Sequence, residues 1–148
     1  MTPAPGTSIV AVLDNEPLQA LADPAHRKHR AVVRLMEAIA QRQGRRGRAA
    51  SVVVSTVVRL EAGVVRQAPS SAALGRLGVR DEVLSASRAD RAVALRRAAG
   101  GAPADAATAQ LAEEFARESK VTVYTADLTD LPKLVAALST SGVRVQLV

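Results

Sequence analysis

Short runs of β-branched and aliphatic residues, set apart by long stretches of helical periodicity, constrain this chain more than any other feature. Ser8 to Leu13 (SIVAVL), Ser51 to Val54 (SVVV), Val121 to Tyr124 (VTVY) and Val143 to Val148 (VRVQLV) are of strand length. A fifth, weaker run spans Val79 to Leu84 and is interrupted by Asp81 and Glu82. The segments between them are too long for tight hairpins and long enough for the helical crossovers that parallel strands require. SIVAVL is apolar throughout, as a central strand covered on both faces must be. VRVQLV alternates, as an edge strand does. The order predicts an α/β fold, three-layer α/β/α with a largely parallel central sheet. A length of 148 residues suits one domain over residues 1–148 with a core of useful size.

The helices follow from spacing and punctuation. One runs from about Arg27 to Gln43, with Val32, Val33, Leu35, Met36, Ile39 and Ala40 as its apolar side and His26 and His29 as surface groups at its start. The segment STVVRLEAGVVRQA reads as a helix with Val57, Leu60, Val64 and Ala68 in a stripe. A short helix covers Ala72 to Leu77, and a longer one Ser87 to Ala99, with Ser87 as N-cap and Asp90 a structural acid in the first turn. Gly100 and Gly101 stop it. Pro103 opens the next helix, where Thr108, Leu111, Ala112 and Phe115 make one face. Leu128 to Ser139 form the last, with Pro132 in its first turn.

Several chemistries are excluded. There is no cysteine, hence no disulfide, zinc–thiolate site or thiol nucleophile. The aromatic fraction is 1%, so bases cannot be bound by stacking on aromatic platforms. Neither a Walker A motif nor a G-x-G-x-x-G after a strand is present, which leaves a nucleotide-binding or signalling α/β domain unsupported. No apolar run approaches membrane-spanning length and no signal peptide is evident, so a soluble cytoplasmic protein is expected. Lys and Arg total 20 against 14 acids, a net charge of +6. The densest bases are Arg27, Lys28, Arg30, Arg34 and Arg42, then Arg45, Arg46 and Arg48. They read either as a track for a polyanion or as a solvated helix face and loop.

Four carboxylates share a placement. Asp14 and Asp127 follow strand ends, where α/β sheets bind ligands. Glu61 lies on the apolar stripe of its helix, where a carboxylate needs either a metal or a buried Arg as partner. Asp105 lies one turn before Thr108 on the same side. Asp14 taken alone also reads as a helix cap. Right-handed crossovers bring the four toward one edge of the sheet. An oxygen-only site of this kind suits Mg²⁺ or Mn²⁺.

These stretches together resemble the PIN-domain ribonucleases, in particular the VapC-like toxins of type II toxin–antitoxin systems. IVAVLDNEPLQAL is similar to the opening strand with its first acid, Asp14. VVVSTVVRLEAGVVR is similar to the segment carrying Glu61, ADAATAQLAEE to that carrying Asp105, and VTVYTADLTDL to that carrying Asp127, with Thr125 just before it and Asp130 close by. The resemblance implies a metal-dependent endoribonuclease in which Asp14, Glu61, Asp105 and Asp127 are catalytic. Asp14, Asp105 and Asp127 would hold Mg²⁺ or Mn²⁺, and Glu61 would orient a water or act as general base. It also implies a tRNA- or rRNA-class substrate, a cognate protein antitoxin and a homodimer. Asn15 stands where the family carries Ser or Thr, an exchange that alters how Asp14 or a water is held. A catalytically inactive PIN-like domain that binds RNA or protein is the alternative.

Overall fold

The computed structural model describes residues 8–42 and 49–148. Within them the strands are β1 (Ile9–Leu13), β2 (Ala50–Ser55), β3 (Arg80–Glu82), β4 (Lys120–Thr125) and β5 (Val143–Leu147). The helices are α1 (Asn15–Ala22), α2 (His29–Gln41), α3 (Thr56–Ala62), α4 (Ala72–Arg76), α5 (Ala86–Ala99), α6 (Pro103–Phe115) and α7 (Asp130–Ala136), with a 3-10 turn at Pro69–Ser71. All strand pairs are parallel, in the order β3-β2-β1-β4-β5. The expected α/β architecture is therefore present, and the sheet is wholly parallel.

The period of two along the strands divides the core into two layers. Ala11, Leu13, Val52 and Val54 face Leu18 and Leu21 of α1, Val32 and Met36 of α2, Val58 of α3 and Leu74 of α4. Val10, Val12, Val53, Val121 and Val123 face Ala92 and Leu95 of α5, Ala106 and Ala109 of α6, and Leu131 and Leu134 of α7. Helices thus cover both faces, which is why β1 can be apolar throughout. The chain builds outward from β1 through β2 to β3, then returns to add β4 and β5 on the other side. The strand order reverses between β1 and β4, and a crevice opens at the carboxyl ends of such a pair. There the Asp14 N–H donates to the Tyr124 carbonyl at 3.0 Å, joining the two strand ends.

Several helices depart from the sequence reading. α3 stops at Gly63, which takes a left-handed conformation at φ 69°, so Val64 and Ala68 do not extend its stripe. Its buried residue is Val58, and Leu60 is 82% exposed. Glu61 is consequently exposed, not buried on an apolar face. α5 begins one residue earlier than expected, capped by Ser85, whose Oγ accepts the Arg88 N–H at 3.3 Å. Ser87 is inside the helix, and Asp90 falls beyond its first turn. α7 is confined to Asp130–Ala136 because Asp127 ties down the turn before it. His26 and His29 are half-buried, not exposed: His26 Nδ1 accepts the Lys28 N–H, and His29 Nδ1 donates to the Ala20 carbonyl. Among the described residues no helix is long and apolar enough to cross a membrane.

Candidate metal centre

Asp14 is the first residue past β1 and only 4% exposed. It occupies the N-cap position of α1 but makes no side-chain cap bond, so the capping role open to it in the sequence is not the one it takes. The Thr125 hydroxyl, at the end of β4, donates to Asp14 Oδ2 at 2.7 Å. Asp14 Oδ1 is buried with no hydrogen-bond partner. A buried oxygen left bare costs free energy unless something fills its coordination.

Thr125 also serves the neighbouring acid. Its Oγ1 accepts the Asp127 N–H at 2.8 Å, which folds the exit of β4 back over the strand end. The Asp127 carboxylate accepts the N–H groups of Thr129, Asp130 and Leu131 at 2.8, 3.0 and 3.3 Å. It thereby satisfies orphan donors at the start of α7 and keeps its own orientation fixed.

Asp105 arrives on α6. Its Oδ2 accepts the Ala102 N–H at 3.3 Å in the first turn. Gly101, at φ 90°, brings the start of α6 against α7. A Cβ there would lie 2.9 Å from Leu134 Cδ1, 3.6 Å from Asp130 Cβ and 3.7 Å from Asp105 Cβ. Oxygens of Asp105, Asp127 and Asp130 all lie within 4.8 Å of one another, so this group can hold a metal ion. Asp130, a secondary candidate in the sequence, belongs to the tightest part of the cluster. Asp14 stands outside that group of three but close enough to act on it electrostatically.

Burial, and then neighbouring charge, raises two of the acids. Asp105 titrates at about 6: burial raises it first, then the Asp14 charge, against the Ala102 N–H bond, with Asp127 and Glu61 adding to the rise. Asp14 is also raised, by burial above all; the Thr125 hydroxyl and the Asn15 N–H oppose this, and Asp127 and Glu61 reinforce it. The charges of Glu61 and Asp127 thus reach Asp14 and Asp105 at one edge of the sheet. Glu61 reaches that edge from solvent, where Asn15 Nδ2 donates to its Oε1 at 2.9 Å. The Asn15 side chain thus engages Glu61, where the sequence reading has it altering how Asp14 or a water is held.

Among the described residues, no base is ion-paired with an acid of this cluster. Elsewhere, neighbouring acids are matched by arginines: Asp81 with Arg59 and Arg66, Glu82 with Arg88, Glu113 with Arg91, Glu114 with Arg88. Among the described residues, none of Asp14, Glu61, Asp105, Asp127 and Asp130 forms an ion pair. An all-oxygen, uncompensated donor set with one bare buried oxygen fits a hard divalent cation.

Cations stand at the rim. Lys28 Nζ binds the Val148 carbonyl at 3.0 Å and Glu16 at 3.1 Å, and the Val148 N–H donates to the Thr125 carbonyl. The amino end of α2, with exposed Arg27 and Arg30, therefore stands near the β4 exit. Arg45, Arg46 and Arg48 lie outside the described residues. Sequence reasoning missed Arg96, an exposed residue whose Nε donates to the Gly101 carbonyl at 3.0 Å. The available signal was an arginine in the last turn before a Gly-Gly stop, where guanidinium groups bond terminal carbonyls.

No family model matches this chain, and no curated protein does.

Proposed function

We propose that this chain is a Mg²⁺- or Mn²⁺-dependent endoribonuclease of the PIN-like kind, the toxin of a toxin–antitoxin pair. The observation that supports it most is the group of Asp105, Asp127 and Asp130 beside Asp14, none of them ion-paired among the described residues, with Asp14 Oδ1 buried and bare. Asp14, Asp105 and Asp127 are the residues that would hold the ion, with Asp130 beside them. A bound Mg²⁺ or Mn²⁺ would offset phosphodiester charge and polarise the P–O bond.

The chain's own groups divide the remaining work. Thr125 holds Asp14 and the Asp127 backbone in register. Glu61, exposed at the mouth of the cluster, accepts a proton from the attacking water. Arg27, Arg30 and Arg96 supply sequence-independent grip on phosphates, along with Arg45, Arg46 and Arg48. Lys28 is already committed to Glu16 and Val148, so it contributes less than its exposed neighbours. A tRNA or rRNA substrate, a protein antitoxin, a homodimer and a cytoplasmic location belong to this reading through the family resemblance.

One observation favours the non-catalytic alternative, a PIN-like RNA- or protein-binding domain. Both Asp127 oxygens already accept backbone N–H groups of the α7 turn, which gives that residue a structural role without any ion. Incubation with total tRNA and Mn²⁺, with and without EDTA, separates the two. Cleavage that needs Mn²⁺ and falls at least about 100-fold in Asp105→Asn supports the nuclease. Equal cleavage by Asp105→Asn removes the enzyme reading, and RNA binding without cleavage by either protein favours the alternative.

A further inference from the structure

Glu61 presents a problem of precision. It lies at the end of a seven-residue helix, one residue before the α3 cap region, and its side chain is exposed. An exposed glutamate samples many rotamers, and a group that receives a proton must be held near the donor. Among the described residues, the side-chain hydrogen bond to Glu61 is the one from Asn15 Nδ2, at 2.9 Å.

Asn15 is well placed to impose order. It follows Asp14 directly, and Asp14 is fixed to β4 through its N–H and through its Oδ2. The amide is therefore delivered from the rigid strand edge to a carboxylate on a short helix. The pairing has one chemical sense, because an ionised carboxylate only accepts and Nδ2 only donates. One Glu61 oxygen is engaged and the other is left for a water. A serine hydroxyl at position 15 sits one bond nearer the backbone and would stop short of this contact.

We propose that Asn15 is a positioning residue that clamps Glu61 toward the acid cluster. The proposal rests on the reading of Glu61 as the proton acceptor, but its geometric half is testable without that reading. In metal-free protein, the Asn15 side-chain NH₂ resonances in a ¹⁵N-correlation spectrum should be shifted and protected, and should lose that shift and protection in Glu61→Ala, which removes the acceptor. Unprotected resonances that ignore Glu61→Ala overturn the proposal whether or not the protein cleaves RNA.

The kinetic half uses a double-mutant cycle. Asn15→Ala should lower kcat on RNA about 10-fold with KM little changed, the size expected for one charge-assisted hydrogen bond. Asn15→Asp, of the same shape but repelling Glu61, should lower it further. In the Glu61→Gln background, Asn15→Ala should have no added effect. An undiminished Asn15→Ala effect in that background would mean that Asn15 acts by another route, and would overturn the clamp. If wild-type protein does not cleave RNA while the resonances respond as expected, the nuclease reading fails and the Asn15–Glu61 clamp survives.

Discussion

At the residue scale, Asp14 has one oxygen held by Thr125 and the other without a partner. Burial first, and like charges after it, raise its pKa along with that of Asp105. Asp14→Asn keeps the shape and the Thr125 bond but removes one of the crowded charges. Its melting temperature in EDTA should equal or exceed that of the wild type, by up to about 2 kcal/mol of stability. Its Mn²⁺-induced stabilisation should vanish; both are read by thermal melts with and without Mn²⁺. Thr125→Val makes the opposite change. It strips the donor from Asp14 in a buried contact and the acceptor from the Asp127 N–H in a part-buried one. Denaturant titration should show a loss of about 2 kcal/mol. Asp14 and Asp127 were legible because each follows a strand end. The buried oxygen on Asp14 was not, since it depends on where Thr125 arrives from 111 residues away.

At the element scale, the strands were the clear part of the sequence. β-branched runs of strand length leave little choice, and apolar continuity in SIVAVL identified a covered central strand. Helix faces were harder. In α3 the stripe through Leu60 and Val64 assumed that the helix continues, whereas Gly63 ends it and leaves Leu60 in solvent. A glycine inside a periodic pattern is compatible with either outcome. Glu61 was therefore expected in the right region for the wrong reason: it arrives by way of Asn15, not by burial. α6 was read as one-faced, yet residues Ala106 through Glu113 are all buried, because α5, α7 and the sheet surround it. Glu113 survives there through Arg91 Nε and Nη2 at 2.7 and 2.8 Å and Ser139 N–H at 2.9 Å. Arg91→Met should cost about 2 kcal/mol in chemical denaturation, a moderate value because the Arg91 side chain is 39% exposed. The Mn²⁺ response should be unchanged, since this clamp joins α5, α6 and the chain after α7 away from the acid cluster.

At the scale of the whole molecule, the strand order does the assembling. Asp14 after β1, Asp105 on α6, and Asp127 with Asp130 in the turn after β4 come from three stretches, and they lie at one edge because β1 and β4 are neighbours at the point where the order reverses. That arrangement gives a pH signature. Asp105 is raised from 3.8 to about 6 in the fold, so the protonated form is favoured there. Its contribution to stability is complete below about 3.8 and is lost as pH rises through about 6. Asp14 acts in the same direction. Glu113, held at about 2 chiefly by Arg91, acts in reverse: its contribution is present above 4.5 and is lost as pH falls toward 2. Melts in EDTA should therefore show greatest stability near about pH 4 and a decline from there through pH 7, with Mn²⁺ reversing the decline above about pH 6. A flat EDTA profile from pH 5 to pH 7 would contradict the crowding of the acids. The most direct test of the central claim is an anomalous-difference map from a crystal soaked in Mn²⁺. A single strong peak among the oxygens of Asp105, Asp127 and Asp14, with Asp130 beside them, is the predicted result. An occupied lattice of other surface sites with no peak at these residues, or Asp14 Oδ1 found bonded to protein, would contradict it.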